Sequence, residues 1–225
     1  MKQVLYGFGV AALLVLIGWQ WQKNSSTKVE NVTVTGPKPA EKVAYVTFDD
    51  GPSEITPGIL DTLKKYDAKA TFFLIGEEIT EEREEIVKRE IEEGHSVGVH
   101  TYCHKKEEMY CNKEYFWNDF EKCKTRIEEV IGKPVSLHRF PWGSNNGYVC
   151  PLVDDLMEEL QKKKITSFDW NVSGEDSVAV GVPMASIYQN VKKDLDKYDN
   201  PIILLHDSNT PADISPYALD GTAAA

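Results

Sequence analysis

Val43-Ala44-Tyr45-Val46-Thr47-Phe48-Asp49-Asp50-Gly51-Pro52 is a short apolar run of strand-forming residues that ends in two carboxylates and a turn. Strand-like and helix-like segments alternate after it. Residues 57–66 read as a helix with Pro57 in its first turn, where the missing N–H costs nothing. Ala70-Thr71-Phe72-Phe73-Leu74-Ile75 reads as a buried strand closed by Gly76. Thr80 is expected to start a charged helix whose inner face is Ile86, Val87 and Ile91 and which Gly94 ends; His95 to His100 is a third strand. Beyond Asn112, Phe116, Phe120, Cys123, Ile127 and Val130 recur at the 3–4 spacing of one buried helical stripe, closed by Gly132 and Pro134. Further strands are expected near Val135–Phe140, Ile165–Trp170 and Pro201–His206, with helices over about 151–162 and 183–197. No internal repeat is visible.

A repeating βα order implies parallel strands joined by helical crossovers. An open doubly wound sheet and a (β/α) barrel both have that order. Asp49, Asp50, His100, Arg139, Asp169 and His206 sit at or just past the carboxyl ends of different strands. In a barrel those ends converge on one mouth, whereas an open sheet spreads them along a line. Convergence of so many chemically active side chains favours the barrel.

Asp49 and Asp50 are neighbours on a strand end, so their side chains point in opposed directions and can take different tasks. Alone, Asp-Asp-Gly is an ordinary turn. His100-Thr101-Tyr102-Cys103-His104 places two imidazoles four residues apart, a spacing that can chelate one cation and that also occurs by chance. With a carboxylate from another strand end they complete a His₂-Asp set, which leaves a coordination position open for water. His95 and His138 read as structural or surface residues.

Taken in order, Thr47-Phe48-Asp49-Asp50-Gly51-Pro52, His100-Thr101-Tyr102-Cys103-His104, Arg139-Phe140-Pro141-Trp142-Gly143 and Leu204-Leu205-His206 resemble the motifs of the polysaccharide deacetylase (NodB-homology) family, carbohydrate esterase family 4. The likeness covers roughly residues 43–210. It implies a distorted (β/α) barrel and a hydrolase acting on carbon–nitrogen bonds other than peptide bonds. It also implies that Asp50, His100 and His104 hold a divalent metal, zinc first and cobalt or another divalent ion as alternatives. Asp49 would be the general base and Arg139 its ion-pair partner; His206 would be the general acid. The Pro141-Trp142 segment would line the substrate site, with the Trp142 backbone N–H stabilising the oxyanion. The family's fourth motif ends in an Asp-Trp pair whose Asp orients the acidic histidine. Two registers compete for it in Phe168-Asp169-Trp170-Asn171-Val172-Ser173-Gly174-Glu175-Asp176-Ser177. Asp169-Trp170 is a literal match on the strand itself; the other register, preferred here, puts Asp176 in the orienting position with Ser177 in place of the Trp.

The resemblance implies N-acetylated polysaccharide as the partner, peptidoglycan GlcNAc or MurNAc first and chitin-type oligomers beside it. An O-acetyl esterase on acetylated xylan and a catalytically weak glycan-binding wall protein are the alternatives. The net charge of −11 over 225 residues argues against nucleic acid, which needs clustered Lys and Arg. From Val4 to Gly18 the chain carries no charge, and with Trp19 and Trp21 it offers about 17 apolar residues, the lower limit for a hydrocarbon core of roughly 30 Å. Residues 1–22 therefore read as an uncleaved anchor, with a cleaved signal as the alternative, and either places the domain outside the cytoplasm. Residues 23–42, ending in Gly36-Pro37-Lys38-Pro39, read as a linker, 43–210 as the domain and 211–225 as an irregular tail. Only 19 residues follow His206, so the barrel is expected to lack its last helix–strand unit and to expose apolar surface; a monomer is expected. Cys103, Cys111, Cys123 and Cys150 allow three pairings, of which Cys103–Cys111 is sterically plausible, while Cys123 lies on the apolar stripe as a core thiol. Asn24, Asn31 and Asn171 stand in glycosylation sequons.

Overall fold

The computed structural model describes residues 42–179 and 181–208. The expected anchor, linker and tail lie outside these residues. Seven strands run parallel in one curled sheet: β1 (Tyr45–Asp49), β2 (Ala70–Ile75), β3 (Ser96–Thr101), β4 (Leu137–His138), β5 (Thr166–Ser167), β6 (Val172–Ser173) and β7 (Ile202–His206). Their order across the sheet is β5-β4-β3-β2-β1-β7-β6. The helices are α1 (Thr56–Lys65), α2 (Glu84–Glu92), α3 (Lys106–Met109), α4 (Lys113–Ile131), α5 (Val153–Lys162) and α6 (Met184–Leu195), with a 3₁₀ turn at Gly76–Glu78. Parallel strands need crossovers, and the helices supply both the crossovers and the outer cover. The expected barrel of the deacetylase type is borne out.

Strand β2 sits near the middle of the sheet, and Phe72, Phe73 and Leu74 are almost completely buried, as its uninterrupted apolar sequence requires. Helix α4 is the main outer support. Its N-terminus is capped by Asn112, whose side-chain oxygen accepts the Tyr115 N–H at 3.1 Å. Gly132 ends it at φ 68°, a left-handed turn that a residue without Cβ adopts freely. Phe116, Phe120, Cys123 and Ile127 form the buried stripe between these caps.

Four expectations are corrected. The charged helix α2 starts at Glu84, after a turn in which the Thr80 carbonyl accepts the Arg83 and Glu84 N–H groups. The fourth strand is two residues long, not six. The run Ile165–Trp170 is not one strand: its first part pairs with β4 as β5, and a further strand, β6, follows and pairs with β7. The Phe168 N–H donates to the His138 carbonyl on one side of the seam, and the Asn171 N–H donates to Ile202 on the other. A curled sheet brings its two edge strands together, and this run satisfies both edges in turn. Finally, Cys103 and Cys111 are not paired; all four cysteines are free thiols, and Cys123 is fully buried in the core.

The barrel interior contains a cavity of about 400 Å³ at the amino ends of the strands, lined by Tyr45, Thr47, Thr71, Phe73, Leu137, Arg139, Phe168 and Ile202. Tyr45 and Phe168, which line it, are 52% and 38% exposed. No helix among the described residues is long and apolar enough to cross a membrane.

Phe120 is 2% exposed and packs edge-on against Trp117 and His138. Phe120→Ala is expected to lower the unfolding free energy by about 3–5 kcal/mol in urea titration, with loss of both ring and packing volume.

Candidate functional site

Three side chains meet beside the carboxyl end of β1. Asp50 follows the last residue of the strand and adopts φ 76°, which turns its carboxylate away from that of Asp49 and out to the mouth. His100, in β3, and His104, in the loop beyond it, approach Asp50 Oδ1 with their Nε2 atoms at 3.3 and 3.4 Å. The His100 Nδ1 lies 3.0 Å from the Arg139 carbonyl oxygen. A carbonyl only accepts, so Nδ1 carries a proton, and in the neutral ring Nε2 then presents a lone pair. Asp50 Oδ1 is buried without a hydrogen-bond partner. Lone pairs that face one another at this distance repel unless a cation sits among them. The three ligand atoms lie within 4.8 Å of one another, and the set of one carboxylate and two imidazoles fits a divalent metal such as zinc.

Protonation states agree with that reading. Burial works against ionisation of Asp50, but with the rings protonated a hydrogen bond from His100 and the charges of His100, His104 and His206 hold its carboxyl well below the usual range, and a cation bound among the rings would take the place of those protons. Burial lowers His104 from its ordinary value, more than the Asp50 charge raises it, which favours the neutral ring that metals bind. His104 also has a left-handed backbone, φ 53°.

Asp49 points into the barrel. Its Oδ1 accepts Arg139 Nη1 at 2.8 Å, with both side chains nearly inaccessible to solvent, and its Oδ2 lies 4.0 Å from His100 Nε2. Arg139 is fully buried. It also donates to the Thr47 hydroxyl at 2.6 Å and to the Phe168 and Asp169 carbonyls at 3.0 and 3.4 Å, so four of the guanidinium's five N–H groups have acceptors.

On the other side of Asp49 stands His206, its register partner on β7. Asp176 grips His206 twice: Oδ2 accepts its backbone N–H at 2.7 Å, and Oδ1 lies 2.8 Å from Nδ1. Asp169 is turned elsewhere, accepting the Ser144 N–H and hydroxyl at 2.9 and 2.5 Å. Of the two competing registers, the structure thus brings Asp176 to His206. Burial pulls the His206 pKa down, but the Asp176 hydrogen bond and charge, joined by Asp50 and Asp49, overcome it and lift the pKa to about 9. Ser177, in the position of the expected Trp, has its hydroxyl 3.5 Å from His206 Nε2.

Trp142 forms one wall. The residue is 42% exposed, and its ring centroid lies 4.6 Å from that of His104 and meets Tyr148 edge-on at 5.8 Å. At φ 62° it is an unusual conformation for a bulky residue. The Pro141 carbonyl accepts the Tyr110 hydroxyl and the Asn146 amide, which fixes the turn.

Asp207 carries no motif signal of its own in the sequence. Asp207 is fully buried behind the Asp50 turn, accepts the Thr56 hydroxyl at 2.7 Å, and leaves Oδ1 without a partner. A Cβ on Gly51 would come within 2.1 Å of its carboxylate, so only glycine fits the turn. Burial raises the Asp207 pKa to about 7; the Thr56 bond opposes this and the Asp50 and Asp49 charges add to it. Its place directly after His206 was the only available signal.

A parallel β/α barrel with a His₂-Asp group at its mouth, an Arg-bound carboxylate and an Asp-bound imidazole defines a class of hydrolase. The polysaccharide deacetylase family profile matches residues 36–159, and the chain belongs to that family. It is 40% identical over 170 residues to a peptidoglycan-N-acetylglucosamine deacetylase of Bacillus cereus, a match that covers 74% of this chain and 60% of that protein. Among solved structures, the catalytic domain of a peptidoglycan N-acetylglucosamine deacetylase from Eubacterium rectale superposes with a TM-score of 0.74 at 30% identity, covering 83% and 87% of the two chains. A polysaccharide deacetylase from Bacillus cereus gives 0.69 at 34% identity, covering 81% and 86%.

The raised His206 pKa has a signed consequence. Charged His206 stabilises the fold fully below the ordinary value of 6.5, and that contribution is lost as pH rises through about 9. An NMR titration of the metal-free protein should show His206 charged at pH 7.5, and Asp176→Asn should move its midpoint below that pH. A wild-type midpoint under 7 would contradict the assignment.

Proposed function

We propose that this protein is a metal-dependent deacetylase that hydrolyses N-acetyl groups of peptidoglycan GlcNAc or MurNAc and releases acetate. The observation that carries the proposal is the unpartnered Asp50 Oδ1 facing the Nε2 atoms of two imidazoles, with Asp49 and His206 beside it. Asp50, His100 and His104 would hold the metal, which when bound polarises the acetyl carbonyl and acidifies a water molecule.

The remaining work falls to the chain's own groups. Asp49, oriented by Arg139 through Oδ1, accepts the proton of the attacking water at Oδ2. The Trp142 backbone N–H meets the negative charge that develops on the acetyl oxygen. His206 is charged at neutral pH and gives its Nε2 proton to the departing nitrogen, while Asp176 fixes Nδ1. An amine leaves only when protonated, so an acid with a raised pKa suits amide cleavage. The exposed Trp142 ring offers a stacking face for a sugar. The deacetylase activity named for the similar proteins supports the peptidoglycan substrate, and the apolar segment near the N-terminus supports anchorage at the cell membrane with the domain outside. The protein is taken to act as a monomer.

Acetate release from N-acetylated peptidoglycan fragments or chito-oligosaccharides should require added Zn²⁺ or Co²⁺ and cease on chelation. Asp49→Asn should lower kcat by about 10²–10⁴-fold. A rate indifferent to chelation would overturn the proposal, and faster release from acetylxylan than from these substrates would move the substrate to O-acetyl esters.

A further inference from the structure

His104 depends on a loop with little support of its own. It stands three residues beyond β3 and holds a left-handed backbone that costs a non-glycine residue of order 1 kcal/mol. Something outside the loop must pay for this geometry. The loop's donors converge on one side chain, Asp119 of α4. Its Oδ2 accepts the Thr101 hydroxyl and the Tyr102 N–H, both at 2.7 Å. Its Oδ1 accepts the Cys103 N–H and the Cys103 thiol, both at 3.2 Å. The Thr101 oxygen in turn accepts the His104 N–H at 3.2 Å. One carboxylate thus holds three consecutive residues directly and the fourth, His104, through a hydroxyl relay.

We propose that Asp119 is a positioning residue of the candidate metal centre, setting the 101–104 loop so that His104 Nε2 is aimed at the position shared with Asp50 and His100. The inference rests on the metal reading given above. Helix α4 does not need Asp119 for itself: Asn112 and Gly132 cap it, and Phe116, Phe120, Cys123 and Ile127 bury its inner face. The carboxylate is matched to its task because both oxygens face donors only. An Asn there would aim an NH₂ group at two of them, whichever way the amide turned. Groups that orient metal ligands typically change metal affinity about 10–100-fold when removed.

Titration calorimetry of the full chain with Zn²⁺ should show Asp119→Asn binding about 10–100-fold more weakly than wild type, with an unchanged far-ultraviolet circular dichroism spectrum. Co²⁺ bound to the variant should show an altered d–d absorption band. In a His104→Ala background the same substitution should have almost no further effect on affinity, because its route to the metal is already gone. Wild-type Zn²⁺ affinity in folded Asp119→Asn would overturn this inference alone, as would losses that multiply in the double variant. A wild-type protein that binds no Zn²⁺ would overturn the metal reading together with it. Should Asp119→Asn unfold, Thr101→Val removes only the relay; the proposal expects the same direction of loss, and unchanged affinity would refute it.

Discussion

The buried ion pair between Arg139 and Asp49 is the constraint on which the rest of this molecule depends. A guanidinium fully removed from water carries a penalty of several kcal/mol, which its attraction to a carboxylate offsets only when the remaining donors are also satisfied. Thr47, Asp49, Phe168 and Asp169 together take four of the five N–H groups of Arg139, and its Cζ lies 4.3 Å from the Phe73 ring centroid. These partners belong to β1, β2 and the run that crosses from β5 to β6. The side chain therefore joins the first strand of the barrel to its seam, from inside. The cavity beneath it shows how little else fills that end of the interior. The same contact that joins β1 to the seam also orients the proposed base, Asp49.

Above this pair the mouth is built from unfavourable backbone. Asp50, His104 and Trp142 all have positive φ, at 76°, 53° and 62°. None is glycine, and each costs of order 1–3 kcal/mol that the surrounding structure must offset. The supports are specific: Gly51 lies hard against Asp207 beneath the Asp50 turn, Asp119 gathers the His104 loop, and the Pro141 carbonyl anchors the turn at Trp142. Such strain persists where side chains must be aimed rather than packed. Here it aims two of the three proposed metal ligands and the aromatic wall beside them.

Much of this was legible in the sequence, for physical reasons. Strand β2 is recognisable because a buried parallel strand must be apolar throughout, and α4 because its stripe, its Asn cap and its terminal glycine agree with one another. The mouth residues were legible because parallel strands put their carboxyl ends together. The short extents of β4 and β5, and the existence of β6, were not: two residues have no periodicity, and their pairing is imposed by the curling sheet. The choice between Asp169 and Asp176 had the same origin. Once Val172–Ser173 pairs with β7, Asp176 falls beside His206, while Asp169 stays in the crossing run and turns to Ser144. Asp119 looked like any polar residue on an amphipathic helix, and Asp207 like the end of a strand. Their roles depend on which loop each one meets, and no local pattern records that.

The most direct test is a double-mutant cycle on unfolding free energy, with Asp49→Asn, Arg139→Met and the two combined, followed by urea titration at neutral pH. Breaking a buried pair from one side should cost about 3–5 kcal/mol in each single variant, because the other charged or polar partner is left buried. The double variant should then cost clearly less than the sum, by more than about 1 kcal/mol. Costs that simply add, to within about 0.5 kcal/mol, would mean that the pair does not bind the barrel to its site.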